Sequence, residues 1–492
     1  MPAIFFIVLL FSLSFGAGER CGTMRFMEEF KNPQKKNLAK EYSAEISYKV
    51  YEKQTTHFII YYTIEGPHAI KTPNYIDSLA KYLEQAYDLH KNTLGMQRIS
   101  GTARTTFYKQ SVPSGRYPIE VLDPGIWDKD YCGTYGLTFP NNKRGPGETQ
   151  IVIENDFIYG VDCLKVGRYA GDPFKSSMHQ DYSKEWHLAL KVTVFHELYH
   201  SFQMTQFDLL NYPYTFWLEA SAVGVEELGA PEVNDYIDYL SNIFNNPGKS
   251  MEELESIEEY GYATLYLFLS YELGLKFDSY IWDYFSKSPK EPFAVQLARY
   301  VNLYGKEGED VEDLFHKYAT HIFYSGKRAA SSPYEPFSED MPKWPEWTMK
   351  RISPPYLPIG TFDFIRTHNR NTDSVTGISE LKYGKNNDST VWVLSRLLTK
   401  DFIPPPFAPQ LKEFVAFPNP WNPKRFEKVN FGPLPKNSSG VEIRSSNGAL
   451  LKRIDGESGN ILPWQPEKLP APGILYYRPL PYGKNKVLMV EY

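Results

Sequence analysis

The feature that most narrows what this chain can build is the stretch KVTVFHELYHSFQ, Lys191 to Gln203, with eighteen residues between its second histidine and the glutamate of FWLEASAV. On an α-helix, residues four apart share a face, so His196 and His200 can both reach one ion. Val192, Val194, Phe195, Leu198, Tyr199 and Phe202 make the helix amphipathic and bury its remaining surface, which fixes the rings. Glu197 stands next to the first histidine, where a carboxylate can take a proton from a metal-bound water. The spacing to Glu219 allows a helix end, a turn at NYPY and an antiparallel second helix, which makes Glu219 the third ligand. A histidine six residues after His200 is excluded, because Gln206 stands there. Glu226 and Glu227, two turns past Glu219, read as a solvated helix end. Two histidines and one carboxylate with an open position favour zinc, which brings its water to a pKa of about 7.

The rest of the chain sets the context. Its 492 residues imply two to four domains. Aromatic residues at 16%, with 37 Tyr and 37 Pro, favour an extracellular, β-rich protein over a helical cytosolic one. A net charge of −6 supplies no basic patch, so nucleic acid is excluded as a partner. The opening MPAIFFIVLLFSLSFGAGER reads as a secretory signal, apolar from Ala3 to Phe15 and closing on Gly16, Ala17 and Gly18. It falls short of the roughly 20 apolar residues of a spanning helix, and no later segment reaches that length. Of the three cysteines, Cys132 and Cys163 are the expected disulfide pair. Cys21 lies near the mature N-terminus and, preceded by GER, does not read as a lipid-attachment site. Nothing beside any of the three marks an activated thiolate.

Along the chain, AEISYKVY, THFIIYYTIEG, RYPIEVLD and ETQIVIENDFI alternate as strands do, and YIDSLAKYLEQAYDLHKNTLGM carries helical spacing. Residues 234 to about 325 are mostly helical. A proline-rich stretch follows, then short apolar runs between turn clusters, then the stiff DFIPPPFAPQ, Asp401 to Gln410. The remainder is short strands and turns, as in a small β-sandwich.

HELYH followed by the Glu of WLEA resembles the gluzincin branch of the zinc metallopeptidases, and HELYHSFQ…FWLEASAVGVEE is most similar to a group of secreted bacterial metalloproteases of that type. The resemblance is specific from Thr193 to Glu227 and loose over about 40 to 325. It implies that His196, His200 and Glu219 bind zinc and that Glu197 is the general base and acid. The position where some gluzincins place an aspartate to orient a histidine is Val223 here, which leaves the outer partner unassigned. No motif for gripping a free amine is evident beyond Glu154 in VIEND, which tilts the reading to an endopeptidase. Tyr260 or Tyr262, opening a later helix, stands where related enzymes carry an oxyanion donor, and Tyr260 is the choice. The tail, with FPNPWNP, VNFGPLP and GILYYRPLPYGKNKVLMVEY, resembles immunoglobulin-like C-terminal modules of secreted bacterial proteins, among them type IX secretion sorting domains. That implies an extracellular or cell-surface destination and the secretion machinery as a partner.

The expected architecture is α+β: a signal peptide over 1–18, a zincin-like metallopeptidase domain over 19–330, a β-rich linker region over 331–410 and an Ig-like β-sandwich over 411–492. The expected activity is hydrolysis of peptide or protein substrates by zinc-bound water, with ETQIVIENDFI as the edge along which substrate pairs. The alternative is a non-catalytic surface protein that keeps the zincin fold as a scaffold for binding or adhesion.

Overall fold

The computed structural model describes residues 21–23, 48–127, 131, 133–140, 147–157, 184–206, 215–245, 248–254, 257–288, 290–306, 309–332, 339–352, 356–367, 375–384, 386–398, 414–417, 419–423, 428–481 and 483–491. The expected signal segment, the NYPY turn, the Cys132–Cys163 pair and the proline stretch 401–410 lie outside them.

The apolar runs of the first half assemble one five-stranded sheet from β1 (Tyr51–Gln54), β2 (Phe58–Tyr62), β3 (Tyr117–Val121), β4 (Gly136–Pro140) and β5 (Thr149–Ile153), in the order β1-β2-β3-β5-β4. β2, β3 and β5 are parallel, and each edge strand runs antiparallel to its neighbour. Parallel strands are covered on both faces, which is why FIIYY, YPIEV and TQIVI are almost continuously apolar. On one face Phe58, Ile60, Ile119 and Ile151 pack with Leu79 and Leu83 of α1 (Tyr75–Asp88) and with Leu190 and Val194 of α2 (Trp186–Met204). On the other, Ile59, Leu137 and Val152 meet Phe107, Tyr108 and Tyr131.

This topology corrects the expected substrate edge. TQIVI lies between β3 and β4, with both backbone sides paired, and the edge strand beside α2 is GLTFP. A glycine and a proline disguise that edge as a turn. Gly136 is required there: a Cβ would meet Glu197 Cγ and Thr193 Cγ2, each at 2.8 Å.

α2 is more buried than an amphipathic helix with one packed face would be: every residue from Ala189 to Met204 except Lys191 is buried, which makes it a central rod. β4 and β5, α1 and α3 (Phe216–Gly229) pack around it. The helical half continues with α4 (Ile237–Phe244), α5 (Ala263–Leu273), α6 (Phe277–Lys287), α7 (Phe293–Tyr304) and α8 (Val311–Phe323).

A four-stranded sheet follows, β6 (Lys350–Ile352), β7 (Thr361–Thr367), β8 (Gly377–Tyr383) and β9 (Ser389–Arg396), ordered β6-β7-β9-β8. It packs on α8 through Phe362, whose ring meets Phe315 and Tyr318. Two further sheets close the chain, β10-β11-β14 (Val415–Phe417, Val429–Gly432, Leu462–Trp464) and β13-β12-β15-β16 (Leu450–Asp455, Gly440–Ser445, Gly473–Leu480, Lys486–Val490). They share a core in which Phe431 of one meets Tyr477 of the other at 5.1 Å. The protein is thus mixed α+β, and no helix among the described residues is long and apolar enough to cross a membrane.

Candidate metal centre

The spacing of His196 and His200 on α2 brings their rings edge to face, with centroids 4.6 Å apart and the two Nε2 atoms 2.9 Å apart. α3 returns against α2 and delivers Glu219, whose oxygens lie 3.2 Å from His196 Nε2 and 3.4 Å from His200 Nε2. The three side chains named from the spacing therefore converge on one point. All are buried, His200 and Glu219 completely.

Outer partners fix the tautomers. His196 Nδ1 lies 2.5 Å from Glu226 Oε1, and His200 Nδ1 lies 2.7 Å from Gln203 Oε1. The Gln203 amide nitrogen donates to Ser221 Oγ at 3.0 Å and Leu218 O at 3.3 Å, so its oxygen is the atom that faces His200. Each Nδ1 thus donates its proton outward, and each Nε2 turns a lone pair inward. Among the described residues, neither Glu219 oxygen accepts a hydrogen bond, although each lies against a histidine Nε2. Nitrogen and carboxylate lone pairs facing one another in a buried space repel unless a cation lies between them, so the donor set fits a metal ion.

The charges point the same way. Burial opposes ionisation of Glu219, yet the two histidines hold its carboxyl down at about 2. Burial likewise opposes the imidazolium of His200, but Glu219 and Cys21 draw it up to about 10. His196 is held well above the usual histidine range against the same burial by Cys21, Glu219 and Glu226. The site attracts positive charge, which a metal ion can supply in place of protons.

Glu226 overturns an expectation. Read as a solvated helix end, it is buried and orients His196. It sits seven residues after Glu219, two turns on and therefore on the same helix face, a periodicity that could have revealed it. Glu227, its neighbour, is not among the groups converging here.

Cys21 is the residue the sequence did not single out. Its Sγ lies 3.5 Å from His200 Nε2, and one ligand atom each from Cys21, His196, His200 and Glu219 all fall within 4.8 Å of one another. No local pattern links it to a motif 175 residues away. Burial pushes its thiol up, reinforced by Glu197 and Glu219.

Glu197 is not part of that donor group. Its Oε2 accepts from Thr138 Oγ1 of β4 at 2.8 Å and from Thr23 Oγ1 at 3.3 Å. It lines a cleft beside the centre together with His196, Glu226, Tyr135 and Tyr260. Tyr260, at the end of a short helix (Ile257–Tyr260), places its ring 6.2 Å from that of His196. Tyr262, the other candidate, faces away and packs on Phe216. Glu154 turns a carboxylate oxygen to the backbone of Asn155 and is not in the lining of the cleft. Val223 lines it without a polar group.

A buried acceptor steadies both ligand helices from behind. Asp278 of α6 accepts from Trp217 Nε1 of α3 at 2.8 Å, from Trp282 Nε1 at 2.9 Å and from the Tyr199 hydroxyl of α2. Tyr199 precedes His200, and Trp217 stands two residues before Glu219, so one carboxylate ties together the backbones that carry two ligands.

No family model matches the chain. No curated protein matches it either. Among solved structures, a segment covering 25% of this chain and 17% of the other is similar to PorZ of Porphyromonas gingivalis, described as an essential bacterial surface component of the type-IX secretion system. The identity is 15% and the TM-score 0.15, and the matched part is about a sixth of that protein's length, a likeness too small to bear on fold or activity.

Proposed function

We propose that the protein is an exported, zinc-dependent peptidase of gluzincin type, probed best as an endopeptidase, with its zincin-like part in the N-terminal half and an Ig-like module at the C-terminus. The observation that carries this is the division of labour at the centre. His196, His200 and Glu219 turn unprotonated donor atoms to one point, while Glu197 keeps a separate carboxylate beside it, held by hydroxyls rather than by a cation. A zinc ion bound by the three supplies Lewis acidity and lowers the pKa of a water in its remaining position to about 7.

The chain's own groups do the rest. Glu197 Oε takes the proton of the attacking water and passes it to the departing amine nitrogen. Tyr260, whose ring lies 6.2 Å from that of His196, supplies the hydroxyl that donates to the oxyanion of the tetrahedral intermediate. The outer side of β4, where Cys21–Thr23 lies against Gly136 and Thr138, is the edge that an extended peptide would use once that segment is displaced, adding as a strand and bringing its carbonyl to the centre. Export and a surface destination rest on the N-terminal apolar stretch and on the resemblance of the tail.

The non-catalytic surface protein remains as a second reading on one observation: Cys21 completes a four-donor set, and closed four-ligand zinc sites are structural. Hydrolysis of a quenched peptide library by the exported form, beside Glu197→Gln with zinc measured in both, separates the two. Cleavage by the wild type alone, with zinc held by both proteins, is the expected result. Zinc in both and cleavage by neither, even after the Cys21 change described below, would retire the peptidase.

A further inference from the structure

We infer that Cys21 is the fourth ligand of the metal and that the segment Cys21–Thr23, lying on the edge strand, closes the centre and holds the enzyme latent. The inference rests on the peptidase reading for its latency but not for its coordination.

Five polar contacts hold the segment, all to the elements that build the site. Gly22 N donates to Gly136 O at 2.9 Å, and Cys21 pairs with Gly136 as a parallel bridge on the outer side of β4. Thr138 N donates to Thr23 Oγ1 at 2.8 Å, and the Thr23 hydroxyl reaches Thr138 O at 3.1 Å and Glu197 Oε2 at 3.3 Å. Cys21 Sγ closes the set at 3.5 Å from His200 Nε2. A sulfur and a nitrogen sharing one tetrahedral zinc, at bond lengths of about 2.3 and 2.05 Å, lie about 3.5 Å apart. The seat is fitted to this tripeptide: a Cβ on Gly22 would meet Thr134 Cγ2 at 3.0 Å and both Leu137 Cβ and Tyr131 Cδ1 at 3.1 Å.

The segment takes the three places a reaction needs. It uses the backbone edge that an extended substrate would pair with. It puts a thiol sulfur, which cannot be hydrolysed, where a carbonyl would be polarised. Its threonine hydroxyl occupies the carboxylate oxygen that would accept the water's proton. A purely structural centre would explain the sulfur but not a further buried carboxylate, Glu197, engaged by the same segment. Opening is a ligand exchange: the thiolate leaves, takes a proton from solvent, and water enters, after proteolysis beyond Thr23 or on modification of the thiol.

Zinc-edge X-ray absorption on the wild-type protein tests coordination without any substitution. One sulfur scatterer at about 2.3 Å beside nitrogen and oxygen at about 2.0–2.2 Å is expected. Cys21→Ala should lose that sulfur, keep its zinc, and gain hydrolysis of the peptide library by about tenfold or more if the thiolate holds nine-tenths of molecules closed. A wild-type spectrum with nitrogen and oxygen alone overturns the inference and leaves the peptidase standing. Sulfur lost in Cys21→Ala while hydrolysis stays at the wild-type rate overturns the latency. Sulfur present and both proteins inert retires the peptidase and the latch together, and leaves Cys21 as the ligand of a closed site.

Discussion

Glu226 offers the sharpest test of how this centre is held. Its Oε1 lies 2.5 Å from His196 Nδ1, with the two side chains 10% and 7% exposed. The carboxylate fixes the proton on Nδ1, and only that tautomer presents Nε2 as a ligand. Loss of such an outer partner costs about 10–100-fold in metal affinity, or about 1.4–2.7 kcal/mol. Glu226→Gln keeps the shape and an acceptor oxygen but removes the charge, so it belongs near the tenfold end. Glu226→Ala also deprives a buried N–H of its acceptor, which costs about 1–3 kcal/mol, and belongs at or beyond the hundredfold end. Competition against a chromophoric zinc chelator measures both, with Glu227→Gln as the adjacent control. Thermal unfolding of the metal-stripped proteins separates lost affinity from lost fold. Zinc binding by Glu226→Ala within about twofold of wild type, less than about 0.5 kcal/mol, would refute the argument that this contact sets the ligand tautomer.

Two further outcomes follow from other side chains. Tyr260→Phe in the Cys21→Ala background should lower kcat by about 10²–10³-fold with KM nearly unchanged, as for loss of an oxyanion donor, and an unchanged kcat would return Tyr260 to packing. Burial pushes the Asp278 carboxyl up from 3.8 to about 6 against the donors Tyr199, Trp217 and Trp282. A raised folded pKa gives stability that is full below the unfolded value and is lost as pH rises through about 6. The wild type should therefore exceed Asp278→Asn by more at pH of about 4 than at about 7, with a difference of about 2.4 kcal/mol; denaturation followed by tryptophan fluorescence checks the sign.

Local chemistry was readable and long-range pairing was not. His196, His200 and Glu219 could be named because helical period and one antiparallel return suffice to bring them to one point. Glu226 obeyed the same period, but acidic residues near a helix end look solvated until a neighbour covers them, and here α2 does. Gln203, three residues after His200, lies within reach of its ring, but an amide carries no metal signature in a sequence. Cys21 reaches the centre through strand pairing with Gly136, and a register across more than a hundred residues leaves no periodic trace. The sheet order misled for a related reason. TQIVI and GLTFP are both buried, and which of them is the edge depends on a parallel crossover. Burial of α2 on all sides was likewise invisible in its own residues, since it follows from what α1, α3 and the sheet bring to it.

Asp278 also carries a consequence for when the protein becomes chemically competent. The hydroxyl of Tyr199 and the indole of Trp217 both donate to a carboxylate on α6. A chain made from its N-terminus must therefore emerge past residue 278 of 492 before the two ligand-bearing helices are tied in register. Until then the histidines and Glu219 belong to an unfinished chain with no settled geometry for an ion. Biosynthesis itself thus delays the assembly of the four-donor cluster, and in a chain exported before it folds that cluster would take shape only at its destination.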